Sequence, residues 1–261
     1  MGVFVVTGGT KGIGEQAIAV LRDRGHDVIN IDVDRGEVEA DLGTRHGREM
    51  AIAEIHKRCP DGLDGLVCNH GIAGLPQFKA SYILATNYFG AVATMNGLFD
   101  LLKMKKGSCV ASTSGAIFTA QRGEYYVDHL LTNCGDEERI GRLVDSFPIY
   151  DDLNVMYLSS KIALAAWVRR TSASWAANGV NINAVGPGGT ATTAMRGFKK
   201  PDAERYYYPM PVLYGQNRSM YPVTVAQTLA FLVMPEAKGI NGQVVFCDSG
   251  SSAITGTGRY F

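Results

Sequence analysis

Tyr157 and Lys161 stand four residues apart in the run NVMYLSSKIALAAWVRR. Residues i and i+4 of a helix share one face, one turn apart. A phenol there can give or take a proton, but it titrates at about 10 in peptides. It needs help to act as a base near neutrality, and a neighbouring ammonium favours the phenolate. The spacing alone is also that of two solvated surface side chains, so the rest of the chain must decide.

Two further stretches bear on the pair. VASTSGA (Val110–Ala116) reads as a strand ending in hydroxyls, and NAVGPGGTAT (Asn183–Thr192) as a strand ending in a Pro-Gly turn. Near the start, TGGTKGIG (Thr7–Gly14) follows an apolar run and opens a helix. Glycines there let the backbone approach a pyrophosphate, and the helix N-terminus offers free N–H groups and positive potential. Asp32 closes the next strand, where a carboxylate accepts hydrogen bonds from an adenosine ribose diol and repels a 2′-phosphate. The expected cofactor is therefore NAD rather than NADP. Lys11, inside the glycine loop, pulls the other way.

The elements that must position these residues alternate. Apolar strand runs fall at Val3–Val6, Asp27–Asp32, Asp64–Asn69, Gly107–Ser112, Val180–Pro187 and Gly242–Asp248. Helix-period stretches fall at Ile13–Arg24, Arg45–Arg58, Tyr82–Lys103, Asp152–Ala177 and Val223–Val233. β-Branched strands separated by helices predict a parallel sheet covered on both faces, a single-domain α/β doubly wound fold over residues 1–261. Two segments interrupt the alternation. Phe118–Tyr150 carries a helical stripe of Ile140, Leu143, Val144 and Phe147. Gly189–Pro222 is rich in aromatics and methionine: Met195, Phe198, Tyr206, Tyr207, Tyr208, Met210 and Tyr214. Such side chains adapt to broad apolar surfaces, so this segment is the expected substrate loop.

Composition removes other classes. The 25 Lys and Arg balance 25 Asp and Glu, without the basic excess that a phosphate-backbone reader shows, so nucleic acid is not an expected partner. No stretch approaches about 20 apolar residues, so no membrane partner is expected. The apolar run near Met1 is too short for a secretory core. The five cysteines, Cys59, Cys68, Cys109, Cys134 and Cys247, are odd in number and lack a paired spacing, which predicts reduced thiols in a cytoplasmic protein. No cluster has metal-ligand spacing, so no metal is expected.

Taken in order, the Thr-Gly-x-x-x-Gly-x-Gly loop, Asp32, ADL (Ala40–Leu42), Asn87 in ATNYFG, Ser114, the Tyr-x-x-x-Lys pair and the Pro-Gly turn resemble the short-chain dehydrogenase/reductase family over nearly the whole chain. The resemblance implies a Rossmann-type fold and these roles. Tyr157 would be the general acid/base, Ser114 would hold the substrate oxygen, and Lys161 would lower the tyrosine pKa and bind the nicotinamide ribose. Asn87 would shape a proton-relay site. Gly8, Thr10, Lys11, Gly12, Ile13 and Gly14 would line the pyrophosphate loop. Asp41 and Leu42 would flank the adenine, with support from Asn69 and Gly71. Pro187, Gly188, Thr190 and Thr192 would meet the nicotinamide side. Ser112, Thr113, Ser159 and Ser160 read as local hydrogen bonders.

There are departures. CNHG (Cys68–Gly71) places His70 and Cys68 where the family usually has alanine and asparagine; His70 reads as packing or a cofactor-edge contact. The Ser114-to-Tyr157 spacing is unusually long because of the Phe118–Tyr150 insertion. That insertion, with GHDVINIDVDRGEVEADL, DGLVCNHG and the ending GTGRYF, resembles the bacterial 3α-hydroxysteroid dehydrogenase/carbonyl reductase branch. The implied reaction is interconversion of a secondary alcohol and a ketone, on a hydroxysteroid or bile acid. Another apolar alcohol, phenylpropanoid or terpenoid, is an alternative substrate. A non-catalytic NAD-binding regulator and an epimerase-like enzyme are alternative classes. Many relatives build tetramers on the face of the Tyr157 helix; an added helix there favours a dimer made elsewhere.

Overall fold

The computed structural model describes residues 1–119, 129–130, 136–146, 153–192 and 219–255. Cys134, Phe147, the substrate-loop residues Met195 to Tyr214 and the GTGRYF ending lie outside the described residues.

Seven parallel strands form one sheet in the order β3-β2-β1-β4-β5-β6-β7. They are β1 (Val3–Thr7), β2 (Asp27–Asp32), β3 (Val38–Glu39), β4 (Gly65–Cys68), β5 (Ser108–Ser112), β6 (Asn181–Pro187) and β7 (Val244–Cys247). Among the described residues the helices are α1 (Gly12–Asp23), α2 (Arg45–Arg58), α3 (Ala80–Leu84), α4 (Ala91–Gly97), α5 (Phe99–Lys105), α6 (Glu137–Ser146), α7 (Leu153–Ala176) and α8 (Pro222–Val233) between strands, and α9 (Ser251–Thr255) after β7. The doubly wound α/β class expected from the alternation is the observed one.

The strand period of two divides the core into two layers. Val5, Leu66, Cys68, Cys109, Ala111, Ile182 and Ala184 face α2, α4, α5 and α7. Phe4, Val6, Val67, Val110 and Val185 face α1 and α8. Strands buried on both faces must read as continuous apolar runs, which is why they stand out in the sequence. The strand order reverses between β1 and β4. In open sheets of this type ligands bind at that reversal, beyond the carboxyl ends of the strands.

One expectation needs correction, and two short elements went unpredicted. The long helix predicted over Tyr82–Lys103 is not continuous. It begins at Ala80, opens into a π-helical segment over Ala85–Gly90, continues as α4, and breaks at Leu98 before α5. The two-residue strand β3, which pairs Val38 and Glu39 with Ile31 and Asp32, was too short for a periodicity to reveal. So was α9. The insertion helix does form, as α6, with Ile140 and Val144 buried. It packs on α3, where Asp145 accepts from the Ser81 N–H at 3.0 Å and its hydroxyl at 2.7 Å. The buried Arg48 guanidinium of α2 grips the Glu137 carboxylate bidentately, at 2.5 and 3.1 Å. Among the described residues, no helix is long and apolar enough to cross a membrane.

Candidate active site

The glycine loop is shaped by backbone geometry that side chains would block. Gly8 and Gly12 adopt φ of 68° and 66°, values that glycine reaches at little steric cost. A Cβ at Gly14 would lie 2.0 Å from the Gly8 carbonyl oxygen, so α1 can begin against the loop only through glycine. Lys11 stands at the N-cap of α1 with an extended backbone, and its side chain makes no capping bond. The first-turn N–H groups are thus left to an anion. Asn30, buried in β2, accepts from the Gly9 N–H at 2.9 Å and holds the loop to the sheet.

Asp32 lies at the end of β2, where its carboxylate accepts from the Thr10 N–H at 2.9 Å and the Val33 N–H at 2.7 Å. The Thr10 hydroxyl donates to the Asp34 carbonyl at 2.8 Å. The Ala40 N–H donates to the Asp32 carbonyl at 2.9 Å, which sets Asp41 and buried Leu42 beside Asp32. The Asn69 N–H donates to the Thr7 hydroxyl oxygen at 3.0 Å, its amide nitrogen to the Gly8 carbonyl at 3.3 Å, and its amide oxygen accepts from Ser112 Oγ at 2.9 Å. Asn69 thus ties together β1, β4 and β5 where the loop begins. These groups fit an adenine dinucleotide: a glycine cradle, an uncapped helix terminus and a carboxylate at the end of the neighbouring strand, bonded to the loop at Thr10.

His70 resolves into a structural residue. Thr7 Oγ1 accepts from the Asn69 and His70 N–H groups, so its own proton goes to His70 Nδ1, 2.7 Å away. The ring proton is then on Nε2, which faces the Gly90 backbone. Burial, with the Lys161 charge nearby, lowers the His70 pKa to about 3. Cys68, in the place of the family asparagine, makes long thiol contacts, to the Ala91 carbonyl at 3.9 Å and to His70 Nδ1 at 3.8 Å.

The expected catalytic residues come together beyond β5. Ser114, just past the end of that strand, is buried and accepts from the Ala116 N–H at 3.2 Å, and its side chain is close enough to Tyr157 on α7 to influence that phenol. Lys161 Nζ lies 6.0 Å from the Tyr157 ring centroid and donates to the Ser112 carbonyl at 3.0 Å. Asn87 occupies the π-helical segment; its amide nitrogen donates to the Ile72 carbonyl at 2.9 Å and its oxygen accepts from the Ile72 N–H at 2.8 Å. The same amide nitrogen lies 3.3 Å from Ser160 Oγ, which donates to the Tyr157 carbonyl. Gly71 lies close against the site: a Cβ there would lie 3.0 Å from Lys161 Nζ and 3.1 Å from Asn87 Oδ1. Pro187 and Gly188 close in on Gly115, next to Ser114, and buried Thr190 donates to the Gly188 carbonyl at 2.9 Å. Thr192 reaches the glycine loop, 3.3 Å from where a Gly12 Cβ would stand. Ile13 packs on the α1 side of the core.

The electrostatics differ from the sequence expectation in one respect. Burial raises the Tyr157 pKa, and the opposing influence comes from the Ser114 hydrogen bond. Lys161 is itself pushed down to about 8 by burial. In this dry site desolvation outweighs the help that an ammonium one turn away would give in water. The phenol is therefore a neutral donor near neutrality.

The sequence reading passed over two residues. Asn30 had a signal, a polar residue within a buried strand. Tyr82, whose hydroxyl donates to both Asp41 carboxylate oxygens at 3.0 Å, had none.

The family model described as enoyl-(acyl carrier protein) reductase matches residues 145–252. The 3-alpha-hydroxysteroid dehydrogenase/carbonyl reductase of Comamonas testosteroni is 30% identical, over 97% of this chain and 98% of that protein. The coniferyl-alcohol dehydrogenase of Pseudomonas sp. (strain HR199 / DSM 7063) is 25% identical, over 95% of each chain. Among solved structures, the 3-alpha-hydroxysteroid dehydrogenase from Pseudomonas sp. B-0831, complexed with NADH, matches with a TM-score of 0.89 and 32% identity, over 99% of this chain and 100% of that one. The similarity runs through glycine loop, catalytic helix and sheet alike, and the chain belongs to the short-chain dehydrogenase/reductase family of oxidoreductases.

Proposed function

We propose that this chain is an NAD(H)-dependent dehydrogenase, built as one dinucleotide-binding domain, that interconverts a secondary alcohol and a ketone on an apolar substrate, a 3α-hydroxysteroid or bile acid first. The observation that carries the reading is the convergence of Ser114, Tyr157 and Lys161 beyond β5, with Lys161 Nζ 6.0 Å from the Tyr157 ring centroid and bonded to the Ser112 carbonyl.

Bound nicotinamide supplies the hydride acceptor or donor. Gly8 to Gly14 and the start of α1 would hold the pyrophosphate of the dinucleotide, and Asp32 would receive its adenosine ribose diol, whose replacement by a 2′-phosphate the carboxylate charge opposes. Pro187, Gly188, Thr190 and Thr192 form the nicotinamide wall. In ketone reduction Tyr157 gives its phenolic proton to the substrate oxygen while Ser114 donates a hydrogen bond to the same atom. In alcohol oxidation Tyr157 must first lose that proton, and Lys161 stabilises the phenolate formed. The Asn87–Ile72 bonds fix the widened helix turn that leads to the Lys161 side. Positioning and one proton are what these side chains contribute.

The steroid assignment rests on the named relatives from Comamonas testosteroni and Pseudomonas sp. B-0831. Coniferyl-type alcohols are the second candidate, from the dehydrogenase of that name. The seat of α6 on α3 favours a dimer over a tetramer, and a sedimentation mass decides it. The functional test follows reduced nicotinamide by absorbance, with NAD and then NADP, against 3α-, 3β-, 7α- and 12α-hydroxysteroids and coniferyl-type alcohols. Turnover with NAD of one steroid isomer, abolished in Tyr157→Phe, supports the reading. Tight NAD binding with silence across the panel removes the steroid and coniferyl assignments and leaves an apolar alcohol outside the panel or a nucleotide-binding regulator.

A further inference from the structure

Tyr82 lies on α3, half-buried, with its ring packed on Phe78 at a centroid distance of 5.8 Å. Its hydroxyl donates to Asp41 Oδ1 and Oδ2, each 3.0 Å away. The Gly43 N–H donates to Asp41 Oδ1 at 2.8 Å. A symmetric pair of phenol contacts and one backbone contact fix both the position and the plane of this carboxylate. A free aspartate would turn about its terminal torsion, which is broad.

Asp41 follows Ala40, whose N–H is bonded to the carbonyl of Asp32. If Asp32 receives the adenosine ribose, as in the function proposed above, the base attached to that ribose comes within reach of Asp41. A carboxylate has about four acceptor positions. Tyr82 and Gly43 leave an acceptor position on Oδ2 for a donor outside the protein. The donor on an adenine edge is the exocyclic 6-amino group.

We propose that Tyr82 is a positioning residue for the cofactor: it aims the Asp41 carboxylate at the 6-amino group of adenine and so makes the enzyme select adenine over a 6-oxo purine. Burial and the Asp41 charge both raise the Tyr82 pKa, so the phenol remains a donor throughout the working range. The support continues outward. Ser81, the preceding residue, is bonded to Asp145 of α6. Arg48 of α2, a few residues beyond Asp41, is bonded to Glu137 at the other end of α6. The insertion helix thus holds both elements that carry the Tyr82–Asp41 pair.

The test compares NADH with reduced nicotinamide hypoxanthine dinucleotide, in which a 6-oxo group replaces the amine. Binding is followed by quenching of tryptophan fluorescence in wild type and in Tyr82→Phe. Phenylalanine keeps the ring and its contact with Phe78, and equal thermal midpoints establish that the fold is retained. Wild type is expected to bind NADH about tenfold more tightly than the analogue, the magnitude of one charge-assisted hydrogen bond. Tyr82→Phe is expected to cut that ratio to about twofold, with KM for NAD raised and kcat at saturating NAD unchanged. An undiminished ratio in Tyr82→Phe overturns the role of Tyr82. A ratio of one in wild type overturns it as well, because Asp41 then does not read the amine. Absence of NADH binding in wild type overturns this inference together with the dinucleotide reading, and is told apart because neither cofactor binds.

Discussion

Replacing Lys161 by methionine should stabilise the protein near neutrality and abolish its activity. Lys161 is 4% exposed, and its ammonium has one carbonyl partner, that of Ser112. Burial lowers its pKa from 10.5 to about 8. Below pH 8 the lysine is charged in both the folded and the unfolded chain, and the folded state carries the whole desolvation penalty. Between about 8 and 10.5 the unfolded chain binds more protons than the folded one, so this group makes stability rise with pH. A shift of roughly 2.5 units, at about 1.36 kcal/mol each, gives a penalty of about 3 kcal/mol. Methionine removes it but leaves the Ser112 carbonyl without that donor, a loss of about 1 kcal/mol. Lys161→Met should therefore exceed wild type by about 2 kcal/mol at pH 7 and fall about 1 kcal/mol below it near pH 10.5. Tyr157, Cys59, Cys68 and Cys109, whose pKa values burial raises, act in the opposite sense at alkaline pH. They are present in both proteins and largely cancel in the difference. Urea unfolding followed by the fluorescence of Trp167 and Trp175, at steps from pH 7 to 10, measures the gap. A gap that stays constant with pH would refute the reasoning: Lys161 would then titrate alike in the two states, and burial would not control the site.

Three further outcomes follow from the same geometry. Ser114→Ala removes the bond that opposes the rise in the Tyr157 pKa, so kcat should fall about a hundredfold and the rising limb of alcohol oxidation should move to higher pH in a kcat/KM profile. Asp32→Ala should raise KM for NAD about tenfold, the size of a charge-assisted bond, and improve turnover with NADP; steady-state rates with both cofactors check this. Arg48→Met leaves Glu137 without its partner in a largely buried pair, so the thermal midpoint should drop by the equivalent of about 2 kcal/mol, most of it from the insertion helix letting go of α2.

The sequence by itself determined the sheet, the glycine loop and the one-turn separation of Tyr157 from Lys161, because each is a local or periodic matter. Buried parallel strands must be apolar throughout, a backbone at positive φ must be glycine, and four residues of helix make one turn. Asp32 was legible for the same reason, since it is read by its distance along the chain from the loop. Tertiary structure alone decided the rest. Asn87 sits in a π-helical turn with its side chain held by Ile72, a contact that no helical period encodes. Tyr82 finds Asp41, and Arg48 finds Glu137, only when α2, α3 and α6 are brought together. The protonation of Tyr157 was misjudged from the chain because spacing supplies the charge on Lys161 but not the dielectric around it. Burial, a property of the assembled fold, sets that dielectric, and it reverses the sign of the shift.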